Sequence, residues 1–306
     1  VTTNGSDAHG DAVPNAMSVD VEDYFHVSVF DGLVPRSAWA DMESRVVANT
    51  SRLLDIFDEF DVRGTFFVLG WVAERHPQLV RDIGARGHEL ASHGYAHRLV
   101  YDQTLAAFRE DVRRAKRLIE DVSGAEVGGY RAPSFSVTPR SLWALEILIE
   151  EGHAYDASIF PVRHDRYGIP PSPRHPFRVR RDNGSIVEMP ASTVQIGPLR
   201  LPVAGGGYFR ILPYAWSRWG IRHLNRAERQ PAVFYLHPWE VDPDQPRLPA
   251  GRLGRFRHYR NLHKTEPRLR RLLSDFRFGT VASLLRTPAL ESDAVAGVPK
   301  ALPYLW

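Results

Sequence analysis

Four short segments gather residue types that do hydrolytic chemistry. Asp20-Val21-Glu22-Asp23 sets three carboxylates within four positions, at the end of an apolar stretch. Carboxylates this close repel one another unless a cation or a proton relieves them. A solvated turn with a helix-capping Asp is the other use of such a cluster. His93-Gly94-Tyr95-Ala96-His97 spaces two imidazoles four apart. Two imidazoles and one carboxylate suit a divalent first-row metal and leave positions for water and substrate. The HExxH metalloprotease pattern is absent, because His88-Glu89 has no second histidine at the required spacing. Arg131, in Gly129-Tyr130-Arg131-Ala132-Pro133, can grip a carboxylate through two nitrogens and hold it ionised. His237 ends the apolar run of Phe234-Tyr235-Leu236, and an imidazole titrates near neutrality, which suits a general acid or base. A fifth segment, Tyr155 to Pro161, reads as a strand entering a proline-terminated loop, a structural role.

These residues need elements to position them. An apolar strand is expected at 16–21. Val46, Val47, Thr50, Leu53, Leu54, Phe57 and Phe60 recur at helical spacing over 43–60. Further strands are expected at 65–69, 88–91, 130–131, 155–159 and 233–236. Helices are expected at 77–86 with Pro77 at its start, 103–122, 139–150, 213–227 and 267–276. Asp182-Asn183-Gly184-Ser185 separates two β runs, a hairpin signal. Strands alternating with helices imply a parallel α/β architecture, and the reactive residues fall at strand ends, where such folds collect them. The chain reads as a flexible tail (1–15), one catalytic domain (16–240) and a C-terminal extension (241–306). In the extension, Leu269, Leu272, Leu273 and Phe276 form a candidate packing stripe.

The bulk composition narrows the classes. The 306 residues are 43% hydrophobic and 25% charged, as in an ordinary globular protein, with net charge +3 and a pI near 9.2. Lys116, Lys264 and Lys300 are the only lysines among 39 basic residues. No basic run is interleaved with aromatics, so nucleic acid is not an expected partner. The cluster Arg252 to Arg260 reads as a solvated face. Without cysteine there is no disulfide, thiolate nucleophile or Cys-based metal site. No apolar run reaches membrane-span length and no secretory signal is visible, so the expected location is cytoplasmic. The sequence does not specify an oligomeric state.

Taken in order, these segments resemble the polysaccharide deacetylase (NodB homology) superfamily, carbohydrate esterase family four. The matching positions are Asp20 to Asp23, His93 and His97, Arg131 and Pro133, Asp156 to Pro161, and Leu236-His237, over about 16–240. SVDVEDYFHVSVF, GGGYFRILPY, YLHPWEVDPDQPR and the tail RFRHYRNLHKTEPRLRRLLSDFRF further resemble the subfamily associated with exosortase-linked exopolysaccharide clusters. The resemblance implies a distorted (β/α) barrel and removal of N-acetyl groups from amino sugars of a polysaccharide. It also implies a divalent metal, zinc first, with cobalt, nickel or iron as alternatives.

The family usually carries two adjacent aspartates, a base and then a metal ligand. Here the adjacent pair is Glu22-Asp23, with Asp20 two residues earlier. Strand alternation puts Asp20 and Glu22 on one face and Asp23 on the other. The preferred assignment is Asp23, His93 and His97 as ligands and Asp20 as base; the rival makes Glu22 base or ligand. Arg131 would position the base and His237 would act as the acid. Tyr130, Pro133 and Trp239, with Phe135, are the expected substrate contacts. Two other readings stay open: a small-amide, allantoinase-like hydrolase of the same superfamily, and a non-catalytic glycan binder.

Overall fold

The computed structural model describes residues 13–285. Its strands are β1 (Asn15–Val21), β2 (Thr65–Val68), β3 (Glu89–Ser92), β4 (Gly129–Tyr130), β5 (Tyr155–Asp156), β6 (Phe177–Arg181), β7 (Gly184–Glu188), β8 (Thr193–Ile196), β9 (Leu199–Pro202), β10 (Val233–Leu236) and β11 (Phe278–Gly279). The helices are α1 (Val46–Glu59), α2 (Gly70–Arg75), α3 (Pro77–Ala85), α4 (Leu105–Ser123), α5 (Ala144–Glu150), α6 (Gly206–Ile211), α7 (Tyr214–His223), α8 (Arg252–Tyr259), α9 (Leu262–Asp275) and α10 (Val281–Leu285).

The main sheet runs β10-β1-β2-β3-β4-β5-β7-β6, parallel throughout except for the β6–β7 hairpin, and β11 pairs with the start of β1. Helical crossovers make parallel neighbours possible and cover the sheet, so its strands are buried on both faces. Every residue of β1, β2 and β10 is buried. Met17, Val19 and Val21 of β1 pack with Leu53, Leu54 and Phe57 of α1 and Ile83 of α3. The alternate residues Ala16, Ser18 and Asp20 face the other way. There Ala16 joins Phe67, Ala91, Tyr155 and Val281 of α10. Farther along that face the sheet carries Ser18 and Asp20 rather than apolar groups.

α4 shows how the sequence writes a helix. Thr104 caps it by accepting the amide of Ala107 at 3.2 Å, and Gly124 ends it at φ 69°. Phe108, Val112, Ala115 and Ile119 form its buried stripe.

The parallel α/β sheet is the expected architecture, and among the described residues no ladder joins β6 to β10. The basic cluster at 252–260 is α8, whose Arg252, Arg255 and Arg257, with Arg260 just after it, form the expected exposed face, while His258 is buried. Two element boundaries need adjustment. The first strand begins at Asn15, inside the expected tail, of which residues 1–12 lie outside the described region. The last long helix starts at Leu262 and carries Pro267 inside it. Leu269, Leu272 and Leu273 of α9 are buried in the same core as β1, and residues 241–285 also supply β11 to the main sheet. Among the described residues, no helix is long and apolar enough to cross a membrane.

Candidate active site and metal centre

The reactive side chains meet at the C-terminal ends of adjacent parallel strands. Glu22 follows β1, His93 follows β3, Arg131 follows β4 and His237 follows β10; Asp20 lies within β1. Parallel order alone brings these ends together, although 217 positions separate Asp20 from His237. Asp20, Glu22, His93, His97 and Arg131 are all buried.

Glu22, His93 and His97 each offer one ligand atom, all within 4.8 Å of one another. His93 Nδ1 lies 2.8 Å from the carbonyl of Arg131. Donation there leaves Nε2 as the free lone pair, the usual support of a metal-binding imidazole. Burial holds His93 down to about 4, so it stays neutral. Glu22 Oε2 sits 2.8 Å from His97 Nε2, yet neither that oxygen nor His97 Nδ1 has an aligned hydrogen-bond partner. Burial alone would raise the Glu22 carboxyl; His97, His237 and His93 outweigh it and hold the group below its usual value. A buried carboxylate with converging imidazoles and an unsatisfied oxygen fits a divalent cation.

The loop between the histidines is built to make them converge. Gly94 and His97 both have positive φ, 72° and 48°. A side chain is costly in that region unless its surroundings enforce it. Here Asp111 of α4 enforces it, accepting the amides of Tyr95 at 2.7 Å and Ala96 at 3.3 Å. A Cβ on Gly94 would stand 2.7 Å from that carboxylate.

Beside this cluster stands an acid–base pair. Arg131 Nη1 donates to Asp20 Oδ1 at 2.6 Å and to Ser18 Oγ at 2.9 Å, while Nε reaches the carbonyl of Ala157. Its guanidinium lies 4.1 Å from the Phe67 ring centroid. Asp20 Oδ2 is 3.7 Å from His237 Nε2, and Glu22 Oε1 is also 3.7 Å from it. His237 Nδ1 lies 2.7 Å from Glu240 Oε1. Burial would lower the His237 pKa, but the Glu240 bond and the charges of Glu22, Glu240 and Asp20 raise it to about 9. A protonated imidazole thus faces a carboxylate held by arginine, with a metal-type donor set alongside.

Residues 37–148 match the family Polysaccharide deacetylase, and residues 157–286 match a domain of unknown function, DUF3473. The first match contains His93, His97 and Arg131; the second contains His237 and Glu240; Asp20 to Asp23 lie ahead of both. The chitooligosaccharide deacetylase of Sinorhizobium fredii is 34% identical over 115 residues, 36% of this chain and 49% of that protein. The chain spans about half or less of the length of the curated relatives it matches. In structure it is similar to a "putative polysaccharide deacetylase from Mycobacterium smegmatis", with TM-score 0.64 and 22% identity over 97% of this chain and 96% of that one. It is also similar to Puue allantoinase, with TM-score 0.60 and 17% identity over 91% of each chain. Identities this low speak for the fold alone, so the allantoinase likeness assigns no substrate.

Within the site, several residues stand elsewhere than expected. Asp23 is not part of the donor cluster. It accepts Ser44 Oγ at 2.7 Å and the amides of Arg45 at 3.0 Å and Val46 at 3.2 Å, so it caps the start of α1. Burial raises it to about 6 despite those bonds. Glu22 takes the position in the cluster, as strand alternation allows: it shares the face of Asp20, while Asp23 points the other way just before the 3₁₀ turn at Tyr24–His26. Tyr130 is 1% exposed and packs edge-on against Phe108 and His153. Pro133 is buried in a 3₁₀ turn. Trp239 is 4% exposed, stacked between His237 and His258, and its Nε1 donates to Glu22 Oε1 at 3.2 Å. It orients Glu22 rather than offering a face to a sugar. Asp111 and Arg210 were not among the expected site residues, and the sequence left open whether Glu240 lines the site. For Asp111 the signal was an acidic residue on the buried edge of an amphipathic helix; for Glu240 it was the i, i+3 spacing from His237.

Proposed function

We propose that the protein removes N-acetyl groups from amino sugars of a polysaccharide, with a divalent metal held by Glu22, His93 and His97. The observation that carries this reading is the contact of three devices in one buried site: the Glu22/His93/His97 donor set, Asp20 held by Arg131, and His237 held by Glu240. The chemistry such an ion supplies when bound is polarisation of the acetyl carbonyl and acidification of water. Asp20 accepts the proton of the attacking water at its Oδ2, while Arg131 keeps the carboxylate in place. His237 Nε2 gives its proton to the departing amine nitrogen. The products are acetate and a free amino sugar.

Zinc suits this oxygen–nitrogen donor set, with cobalt, nickel and iron as competitors. The resemblance of the segments around Asp20, Gly205 and His237 to exopolysaccharide-linked deacetylases supports an exopolysaccharide as the natural polymer. The test is acetate release from a chito-oligosaccharide panel by metal-stripped protein refilled with zinc, cobalt, nickel or iron, beside His93→Ala. Release restored by metal and abolished by His93→Ala is the expected result. Calorimetric zinc binding without acetate release from any acetylated glycan would overturn it.

A further inference from the structure

His237 lies at the end of a buried chain of charged groups that reaches into the C-terminal segment. Glu240 Oε1 faces His237 Nδ1 at 2.7 Å and also accepts the His237 amide at 3.1 Å. Its other oxygen, Oε2, accepts Arg210 Nε at 2.6 Å. Arg210 is 2% exposed and Glu240 1%. Removing two charges from water is costly, and only close pairing and full hydrogen bonding offset it. Arg210 meets that condition with backbone carbonyls at the end of α8: Nη1 donates to His258 at 2.7 Å and Arg260 at 3.2 Å, and Nη2 donates to Arg257 at 2.9 Å. The last carbonyls of a helix lack intrahelical partners and carry partial negative charge, so they suit a guanidinium. Arg210's own backbone is held from the same segment, its carbonyl accepting Asn261 Nδ2 at 2.8 Å and Arg268 Nη1 at 2.9 Å.

We infer that Arg210 and Glu240 form a positioning relay for His237, anchored by the end of α8, so that the C-terminal segment fixes the acid of the proposed reaction. The inference rests on the deacetylase reading. Neither residue touches the reacting atoms. Glu240 holds the Nδ1–H of the imidazole, which turns Nε2 toward Asp20 and Glu22. When the C–N bond breaks, its electron pair passes to nitrogen and the Nε2 proton follows. The imidazole left behind keeps its Nδ1–H on Glu240. Arg210 keeps Glu240 charged and prevents it from rotating away.

The relay can be separated from a merely structural role by the leaving group. An amine must be protonated to depart, whereas 4-nitrophenolate leaves without a proton. The experiment compares acetylated chito-oligosaccharide with 4-nitrophenyl acetate for zinc-loaded wild type, Glu240→Gln, Arg210→Lys, His237→Ala and the double variant His237→Ala/Glu240→Gln. Expected for Glu240→Gln is a kcat loss of about a hundredfold on the amide, the low end of what a general acid supplies. Its KM should stay within about threefold and its ester rate within about threefold of wild type, since only the amine leaving group uses the acid. Arg210→Lys keeps the charge but cannot make the fork, and should fall between wild type and Glu240→Gln. In the His237→Ala background Glu240→Gln should add nothing, the signature of one residue acting through another. Equal losses on amide and ester, or additive losses in the double variant, would overturn the relay. Arg210→Lys keeps the test open should Glu240→Gln fail to fold, as judged by its melting curve and zinc content. Should wild type itself release no acetate from the glycan, the deacetylase reading fails first.

Discussion

Two groups of buried carboxylates sit at strand ends of the same sheet and resolve their repulsion in opposite ways. At the end of β1, Asp20, Glu22 and Asp23 diverge. Asp20 meets a guanidinium, Glu22 meets two imidazoles, and Asp23 meets the start of a helix. At the ends of β5 and β7, Asp156 and Glu188 are register partners and meet each other. Burial raises Asp156 to about 6, and burial together with the Asp156 charge raises Glu188 well above the carboxylate range. Both shifts favour retention of a proton by the pair. Its remaining atoms hold backbone: Ser158 Oγ donates to Asp156, the Ile159 amide donates to Glu188 at 2.9 Å, and Ser158 Oγ accepts the Ala132 amide at 2.8 Å. That loop also presents the Ala157 carbonyl to Arg131. Charges given separate partners stay available for chemistry, while a carboxyl facing a carboxyl retains a proton and serves as a clamp.

The comparison can be broken most sharply at Glu22 and Asp23. Glu22→Ala should abolish zinc binding in calorimetry and with it acetate release. Asp23→Ala should keep zinc binding and lower the unfolding free energy by about 1–2 kcal/mol, the cost of a lost helix cap. Zinc binding lost only in Asp23→Ala would reverse the assignment. Arg131→Met comes next. It leaves Asp20 buried without its cation, and should cost about 3–5 kcal/mol in urea unfolding besides activity. An unchanged unfolding midpoint would mean that Asp20 finds another partner.

The smallest effect belongs to the clamp. Asp156 binds its proton more tightly in the folded chain, about 6 against 3.8. The folded state therefore holds more protons than the unfolded chain between about pH 4 and pH 6, and stability from this pair falls as pH rises through that window. Glu188→Gln supplies a neutral amide donor that favours ionised Asp156. It should remove part of that fall, read as the difference between variant and wild type in denaturant unfolding at pH 4 and pH 7. Parallel pH dependences would show that the two carboxyls do not share a proton.

Much of this was legible in the residue types. The helical period over 43–60 and the capping threonine and glycine of α4 are local signals, and local signals locate elements well. The His93–His97 spacing and the strand-end positions of Arg131 and His237 likewise follow from short segments. For the acidic cluster, strand alternation put Asp20 and Glu22 on one face and Asp23 on the other, and the structure groups Glu22 with the histidines accordingly; the preference for Asp23 came from the family's pattern of adjacent acids, not from periodicity. Tyr130 and Trp239 could not be placed from residue type, because an aromatic ring suits a sugar or a core equally well; the neighbours Phe108, His153 and His258 come only from the fold.

The sequence by itself determined the chemical inventory and the alternation of strands and helices, because residue identity and short-range periodicity are local properties. Tertiary structure alone decided the partners. Glu22 rather than Asp23 joins the histidines, and Arg210 lies 48 positions from the His258 carbonyl that holds it. Such pairings follow from how parallel strands and distant helices pack, and burial makes each one binding, since a charge withdrawn from water must find its counterpart in the fold.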